Sequence, residues 1–112
     1  PMEVVNAYEL KGFDQTMPSA GGQGWLTRQG EKAQLVLQLY GLPPTDGDQA
    51  YQVWIMRDGQ RSNGGTFCVD RQGAGIITLE MNVSEAEFES IGITLEPDSR
   101  GSEPRGRKVL GT

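Results

Sequence analysis

Apolar and polar residues alternate through most of this chain, and the alternation predicts β-strands rather than helices. The clearest segment is 33–40, where Leu35, Leu37 and Leu39 share one parity and polar Gln34 and Gln38 the other. Side chains of a strand point alternately to its two faces, so a period of two indicates a strand with one buried face. Further strands are predicted at 3–11, 25–28, 50–57, 64–69, 77–81, 91–95 and 108–110.

Turn-forming residues separate these strands. Asp58-Gly59 predicts a tight hairpin, because this dipeptide adopts the positive φ angles that two-residue hairpin turns require. Residues 14–24 contain one proline and three glycines and are expected to form a loop. Ser84 followed by Glu87 has the spacing of a capping box, which predicts one helical turn over 84–89.

Seven or eight short strands in a chain of this length predict an antiparallel β-sandwich. Residues 50–57 are apolar on both parities, which predicts a central strand or a strand with one face under a loop. Tyr51 and Trp54 are expected to be core anchors. Cys68 is expected to be buried as a small apolar residue. Because no linker divides the chain, residues 1–112 are interpreted as one domain.

The composition excludes several classes of function. Ten Lys and Arg against 15 Asp and Glu give a formal charge of −5, which disfavours binding to nucleic acid. The chain has no histidine and one cysteine, so a zinc site and the His-dependent catalytic triads are excluded. No cofactor, no metal and no enzymatic activity are therefore expected.

Three candidate sites are better explained as ordinary structure. The glycines of 21–24 lack the phosphate-loop pattern and precede a strand, so a flexible loop is favoured. Asp46-Gly47-Asp48 offers two nearby carboxylates, too few for calcium, and is typical of a turn. Paired carboxylates could serve glycoside hydrolysis, but any acidic chain offers candidates such as these: Asp14, Asp58, Glu80, Glu96 and Glu103.

Trp25 leaves a different alternative open. It stands beside the glycine-rich segment, where the sequence does not decide between a core position and an exposed one. An exposed indole could stack on sugar rings, so a carbohydrate- or cell-wall-binding module outside the cell is the alternative function.

Several short motifs, in order, resemble one family, the C-terminal extracytoplasmic domain of anti-sigma-K factors. The resemblance covers about residues 24–112, and the order and spacing of the motifs carry it more than any single one. The motifs are Gly41-Leu42-Pro43-Pro44, Tyr51-Gln52-Val53-Trp54, Gly65-Thr66-Phe67, Thr94-Leu95-Glu96-Pro97, Pro104-Arg105-Gly106 and Val109-Leu110-Gly111. The chain departs from the family in the loop 97–106, where Ser99-Arg100-Gly101 replaces the usual glycine pair and Arg105 stands where threonine is common.

The resemblance implies a noncatalytic regulatory or sensor domain of a membrane-anchored protein. A preceding segment of the parent protein would bind a sigma factor inside the cell, and one membrane helix would connect it to this domain outside. Proteolysis triggered by a signal would then free the sigma factor for transcription. Within that scheme, the chain is expected to be a fragment, placed at the extracytoplasmic face of the bacterial membrane.

The sequence suggests one surface for a protein or cell-wall ligand. It would combine the aromatic Trp25 with polar residues of the loop 97–106, namely Asp98, Arg100 and Arg105. This expectation rests on residue type alone, because exposed aromatic and flexible polar side chains are suited to meeting a partner.

Overall fold

The computed structural model describes residues 2–112 and contains eight antiparallel strands with one three-residue 3-10 helix. The predicted all-β fold with one short helical turn is confirmed. The strands are β1 (Glu3–Gly12), β2 (Gly21–Gln29), β3 (Lys32–Tyr40), β4 (Ala50–Arg57), β5 (Gln60–Phe67), β6 (Gly75–Asn82), β7 (Ser90–Glu96) and β8 (Arg107–Gly111).

The strands form one sheet that is folded on itself, in the order β5-β4-β7-β8-β1-β2-β3-β6. β1 joins the two halves: most of it pairs with β2, whereas Lys11 and Gly12 pair with β8. The outer strands β5 and β6 approach each other, since a Cβ atom added to Gly64 would lie 2.7 Å from Leu79. The predicted sandwich is therefore formed by two half-sheets that are connected through β1, and the outer strands β5 and β6 nearly close it into a barrel.

The inner faces of the two halves form the hydrophobic core. Leu35, Leu37 and Leu39 are fully buried, which confirms the alternation predicted for β3. Burying a leucine side chain is worth about 1.5–3 kcal/mol, so this face is a large share of the driving force. β4 lies between β5 and β7, as its two apolar parities indicated. The other half contributes chiefly Tyr51, Val53, Ile55, Ile91, Ile93, Val109 and Leu110.

The glycine-rich segment is a strand rather than the end of a loop. β2 begins at Gly21, and the prediction that residues 14–24 form a loop is wrong for its last four residues. A Cβ atom on Gly24 would lie 2.8 Å from Leu37, and one on Gly22 would lie 2.7 Å from Leu39. These glycines are required by close packing on the leucines of β3, not by chain flexibility.

The strand after the hairpin begins earlier than predicted and leaves Cys68 outside. Asp58 and Gly59 have φ angles of 52° and 74°, which confirms the tight turn, and β5 follows directly after it. β5 ends at Phe67, whose ring stacks on Tyr51 at 5.6 Å between centroids. Cys68 follows the strand and is exposed, so its predicted burial is wrong.

The helical turn is shorter and lies earlier than predicted. The 3-10 helix spans Val83–Glu85, and the carboxylate of Glu85 accepts a hydrogen bond of 3.0 Å from the backbone N–H of Asn82. The cap therefore joins Asn82 and Glu85 rather than Ser84 and Glu87. Across residues 2–112, no helix has the length and apolar character needed to span a bilayer.

Candidate functional site

Trp54 is buried on the outer face of the sheet, away from the central core. Its neighbours Val53 and Ile55 point inward, so the alternation of β4 directs the indole to the opposite side. Its side chain is nevertheless only 4% exposed. Gly92 is its cross-strand partner on β7. The expectation that Trp54 is buried is confirmed, although its surroundings are not the main core.

A hydrogen bond connects Trp54 to β7, close to a buried carboxylate. The indole N–H donates to the Thr94 hydroxyl oxygen at 2.8 Å. The Thr94 hydroxyl also helps to lower the pKa of the Glu96 carboxyl, which lies two residues further along the same face. Glu96 is only 1% exposed, so its charge must be stabilised by neighbouring donors.

The side chain of Glu96 holds the loop 97–106 through hydrogen bonds to the backbone of the loop. Its carboxylate accepts hydrogen bonds of 3.0 Å from the N–H groups of both Arg105 and Gly106, and the Nε atom of Arg105 lies 3.4 Å away. A Cβ atom on Gly106 would lie 1.7 Å from the Leu95 carbonyl oxygen, so only glycine fits this approach. We call Glu96, Asp98, Arg105 and Gly106 the loop latch.

Asp98 forms the second half of the latch. Its carboxylate accepts a hydrogen bond of 2.7 Å from Arg105 Nη2 and one of 2.8 Å from the backbone N–H of Arg100. The Arg100 guanidinium pairs with the same carboxylate at 3.2 Å but remains largely exposed. Two carboxylates, of Glu96 and Asp98, thus balance two guanidinium groups. The exposed Glu103 adds a third carboxylate to the segment 96–106.

Both carboxyl groups of the latch are stabilised in their charged form. Burial alone would raise the pKa of Glu96, but hydrogen bonds from Thr94, Gly106 and Arg105 hold the pKa below its ordinary value. The side-chain hydrogen bond from Arg105, with the N–H of Arg100, lowers the pKa of Asp98 to about 2. The latch is therefore fully ionised at neutral pH.

Comparison with known protein families gives a match over nearly the whole chain. The family described as "Anti-sigma-K factor rskA, C-terminal" matches residues 3–108. The chain belongs to this anti-sigma-K factor C-terminal family. Searches of curated proteins and of solved structures gave no match.

The match extends further toward the N-terminus than the motifs indicated. It begins at residue 3, whereas the motifs of this anti-sigma-K factor domain placed the resemblance at about 24–112. β1 explains the difference: it is part of the sheet and pairs in register with β2, but it contains no distinctive motif.

Three motifs of the anti-sigma-K factor domain meet at the loop latch and the hydrogen bond between Trp54 and Thr94. Trp54 ends the motif 51–54, and Gly106 ends the motif 104–106. Thr94 and Glu96 belong to the motif 94–97. The sequence motifs were therefore the available signal for this cluster. Sequence reasoning missed it, because the hydrogen bonds join residues up to 40 positions apart.

The structure brings together only part of the surface predicted from sequence. Asp98, Arg100 and Arg105 lie together and pair with one another. Trp25 is half-buried on β2, in the other half-sheet, and β8 and β1 lie between β7 and β2 in the strand order. Any binding role of these four residues stays a prediction, and Trp25 is a separate surface from the loop.

Other candidate residues of the anti-sigma-K factor domain have structural partners. Asp14 pairs with Arg107 and accepts hydrogen bonds from the backbone and hydroxyl of Thr16. The Asp46 turn is closed by a backbone hydrogen bond of 3.1 Å from Gln49. Within residues 2–112, no three His, Cys, Asp or Glu side chains are grouped to hold a metal ion.

Proposed function

We propose that this chain is a noncatalytic, extracytoplasmic regulatory domain of a membrane-anchored anti-sigma factor. In this proposal a preceding segment of the parent protein binds the sigma factor, and one membrane helix connects that segment to this domain. The domain controls when regulated proteolysis releases the sigma factor, and hence when transcription begins.

The observation that carries the proposal is the family match over residues 3–108. It supports a role in the regulation of transcription through a sigma factor. The location outside the membrane and the sensing role go beyond that match, and they explain why a compact β-domain would be attached to a sigma-binding segment.

The loop latch gives the proposal a physical mechanism. A domain that controls proteolysis needs two states that differ in how they expose or transmit a cleavage signal, and a signal must favour one of them. Release of Glu96 from Arg105 and Gly106 would free the loop 97–106 as one unit. In the proposal, the latched loop is the resting state.

The test uses the parent protein in its native cell with a sigma-dependent reporter gene. We expect removal of residues 1–112 to change reporter expression several-fold while the sigma-binding segment still binds the sigma factor in a pull-down. We expect Glu96→Gln, which weakens the latch, to shift expression in the same direction. Glu80→Gln is the matched control, since this carboxylate lies on an exposed position of β6.

A protease-protection assay on intact cells tests the location. Digestion of the domain by an external protease would support the extracytoplasmic placement. The proposal would be overturned if the domain were protected in intact cells, or if its removal left reporter expression unchanged.

A second candidate function is the binding of cell-wall glycan at Trp25. The observation that favours it is a half-buried indole on an outer face, beside a concavity of about 340 Å³ lined also by Glu9 and Gln23. Indole faces stack on sugar rings, and the oxygens of amide and carboxylate side chains accept hydrogen bonds from sugar hydroxyl groups. Titration with chitotetraose should change tryptophan emission in the native chain and in a Trp54→Phe variant, but not in Trp25→Ala. An unchanged emission in the native chain would exclude this candidate.

A further inference from the structure

A second concavity lies on the outer face of the other half-sheet, next to Trp54. It has a volume of about 210 Å³. Cross-strand pairing builds its floor: Arg61, Met56 and Ser90 form one row, while Thr94 and Lys108 belong to another. We call it the cationic groove, and its lining is Trp54, Met56, Arg61, Ser90, Gly92, Thr94, Pro104, Gly106 and Lys108.

The charge of the groove is opposite to that of the chain. The chain has 15 acidic against 10 basic residues, yet the lining contains two cations and no carboxylate. In residues 2–112, Arg100, Arg105 and Arg107 form ion pairs, whereas Arg61 and Lys108 form none. Two exposed cations without a counterion therefore face a shared concavity.

Lys108 is positioned by its surroundings. Its ammonium group lies 4.3 Å from the centre of the Phe13 ring, a cation–π contact that restricts its motion. Its stem passes over Gly92, where an added Cβ atom would lie 3.6 Å from Lys108 Cε. The charge is thus held beside the groove rather than spread over the rotamers of a free lysine.

The remaining lining gives the groove an apolar wall and one available hydroxyl group. Met56 and Pro104 are half-buried and supply most of the apolar surface, and the largely buried ring of Trp54 adds a small part. Ser90 supplies the hydroxyl group, whereas the hydroxyl of Thr94 already accepts the indole N–H. The combination suits a ligand with a charged end and an uncharged body.

We propose that the cationic groove binds a small carboxylate ligand. Guanidinium and ammonium groups form charge-assisted hydrogen bonds with carboxylates, and the fork of Arg61 can bind both oxygens. The volume is below the range of about 300–1,000 Å³ typical for drug-sized ligands. A single sugar acid or the C-terminal residues of a peptide therefore match it in size, and both present the same carboxylate chemistry.

The groove shares Trp54, Thr94 and Gly106 with the hydrogen-bonded cluster around the loop latch. A bound ligand would contact these residues directly and change the environment of the Trp54 indole. This inference goes beyond the proposed regulatory function and does not depend on it, because binding is measured on the isolated chain.

The test is a titration of the chain followed by calorimetry and by tryptophan emission in a Trp25→Phe background, which isolates Trp54. The probes are D-glucuronate and N-acetyl-alanyl-alanine, with glucose and the C-terminal amide of the dipeptide as uncharged counterparts. We expect one carboxylate to bind with a millimolar or lower Kd, at least about tenfold tighter than its uncharged counterpart. The probe that binds identifies the source of the carboxylate.

Variants locate the binding. We expect Arg61→Gln and Lys108→Gln each to weaken binding about tenfold, with a folded chain confirmed by the urea midpoint. Arg71→Gln is the matched control, because it removes the same charge from an exposed turn outside the groove. We expect it to leave the affinity unchanged.

Three results would overturn the proposal. The first is no binding of either carboxylate in the millimolar range. The second is equal weakening by Arg71→Gln, which would indicate general charge attraction. The third is inorganic phosphate binding as tightly as the carboxylates, since the apolar wall around Trp54 would then contribute nothing.

Discussion

The indole N–H of Trp54 donates to the Thr94 hydroxyl at 2.8 Å, and this bond connects two sequence motifs across neighbouring strands. Thr94 also helps to lower the pKa of Glu96, whose carboxylate accepts hydrogen bonds from the backbone of Arg105 and Gly106. A tryptophan of β4 is thereby coupled to the loop between β7 and β8. Three of the six motifs that carry the family resemblance therefore meet in one cluster of this structure.

The first prediction concerns that bond. Trp54→Phe keeps an aromatic ring but removes the N–H donor and part of the buried surface, so we expect the free energy of unfolding to fall by about 1–2 kcal/mol. Urea denaturation followed by circular dichroism measures it. Trp25→Phe is the control, because Trp25 is half-exposed and its side chain makes no hydrogen bond within residues 2–112. Equal losses in the two variants would contradict the prediction.

Period-two alternation was sufficient to predict the fold class and the inner face. The parity of Leu35, Leu37 and Leu39 fixes which side of β3 is buried, and the burial of all three confirms it. Asp58-Gly59 was equally informative, because its turn chemistry is local to two residues. These features depend on interactions within a few positions of the chain, which is why the sequence reveals them.

The glycines of β2 and the latch depend on contacts between distant residues. Position 24 requires glycine because Leu37 of β3 occupies the space that a side chain would need, and local composition does not reveal this contact. Arg105 was predicted as a binding residue from its charge and loop position. Its pairing with Glu96 and Asp98 requires the loop conformation, which only the folded chain defines.

The second prediction concerns Gly106. In Gly106→Ala the new methyl group would lie 1.7 Å from the Leu95 carbonyl oxygen, so the backbone must move and the hydrogen bond to Glu96 is lost. We expect a loss of about 3 kcal/mol in the free energy of unfolding. Gly92→Ala is the matched control, since its methyl group meets Lys108 only at 3.6 Å. A loss below about 1 kcal/mol for Gly106→Ala would refute the close approach.

The third prediction is a dependence of stability on acid pH. Glu96 and Asp98 have lowered pKa values in the folded chain, that of Asp98 to about 2. Groups of this kind stabilise the fold fully above their unfolded pKa values, and the stabilisation is lost as the pH falls through the folded values. We expect the urea midpoint to decrease as the pH is lowered from about 5 to about 2.

Glu96→Gln tests whether this pH dependence of stability comes from the loop latch. The amide offers one acceptor oxygen and no charge, so we expect a loss of about 2 kcal/mol at neutral pH. The decrease in urea midpoint between neutral and acid pH should also become smaller than in the native chain. Glu80→Gln changes the same type of group on an exposed position of β6, and we expect it to leave both quantities unchanged. Identical pH profiles for the native chain and Glu96→Gln would show that the latch is not the origin.

The fourth prediction concerns Cys68, the single cysteine of the chain. A thiol buried in a core reacts with Ellman's reagent only while the protein is locally or globally unfolded. Its reaction rate is therefore reduced in proportion to the small fraction of open molecules. Cys68 follows β5 and is exposed, so no opening is required. We expect it to react in the folded chain within about tenfold of its rate in urea-unfolded chain, because access is similar in both states. A reaction slowed by several orders of magnitude would contradict the prediction. It would instead support the burial of Cys68 in a strand that continues beyond Phe67, as the local sequence predicts.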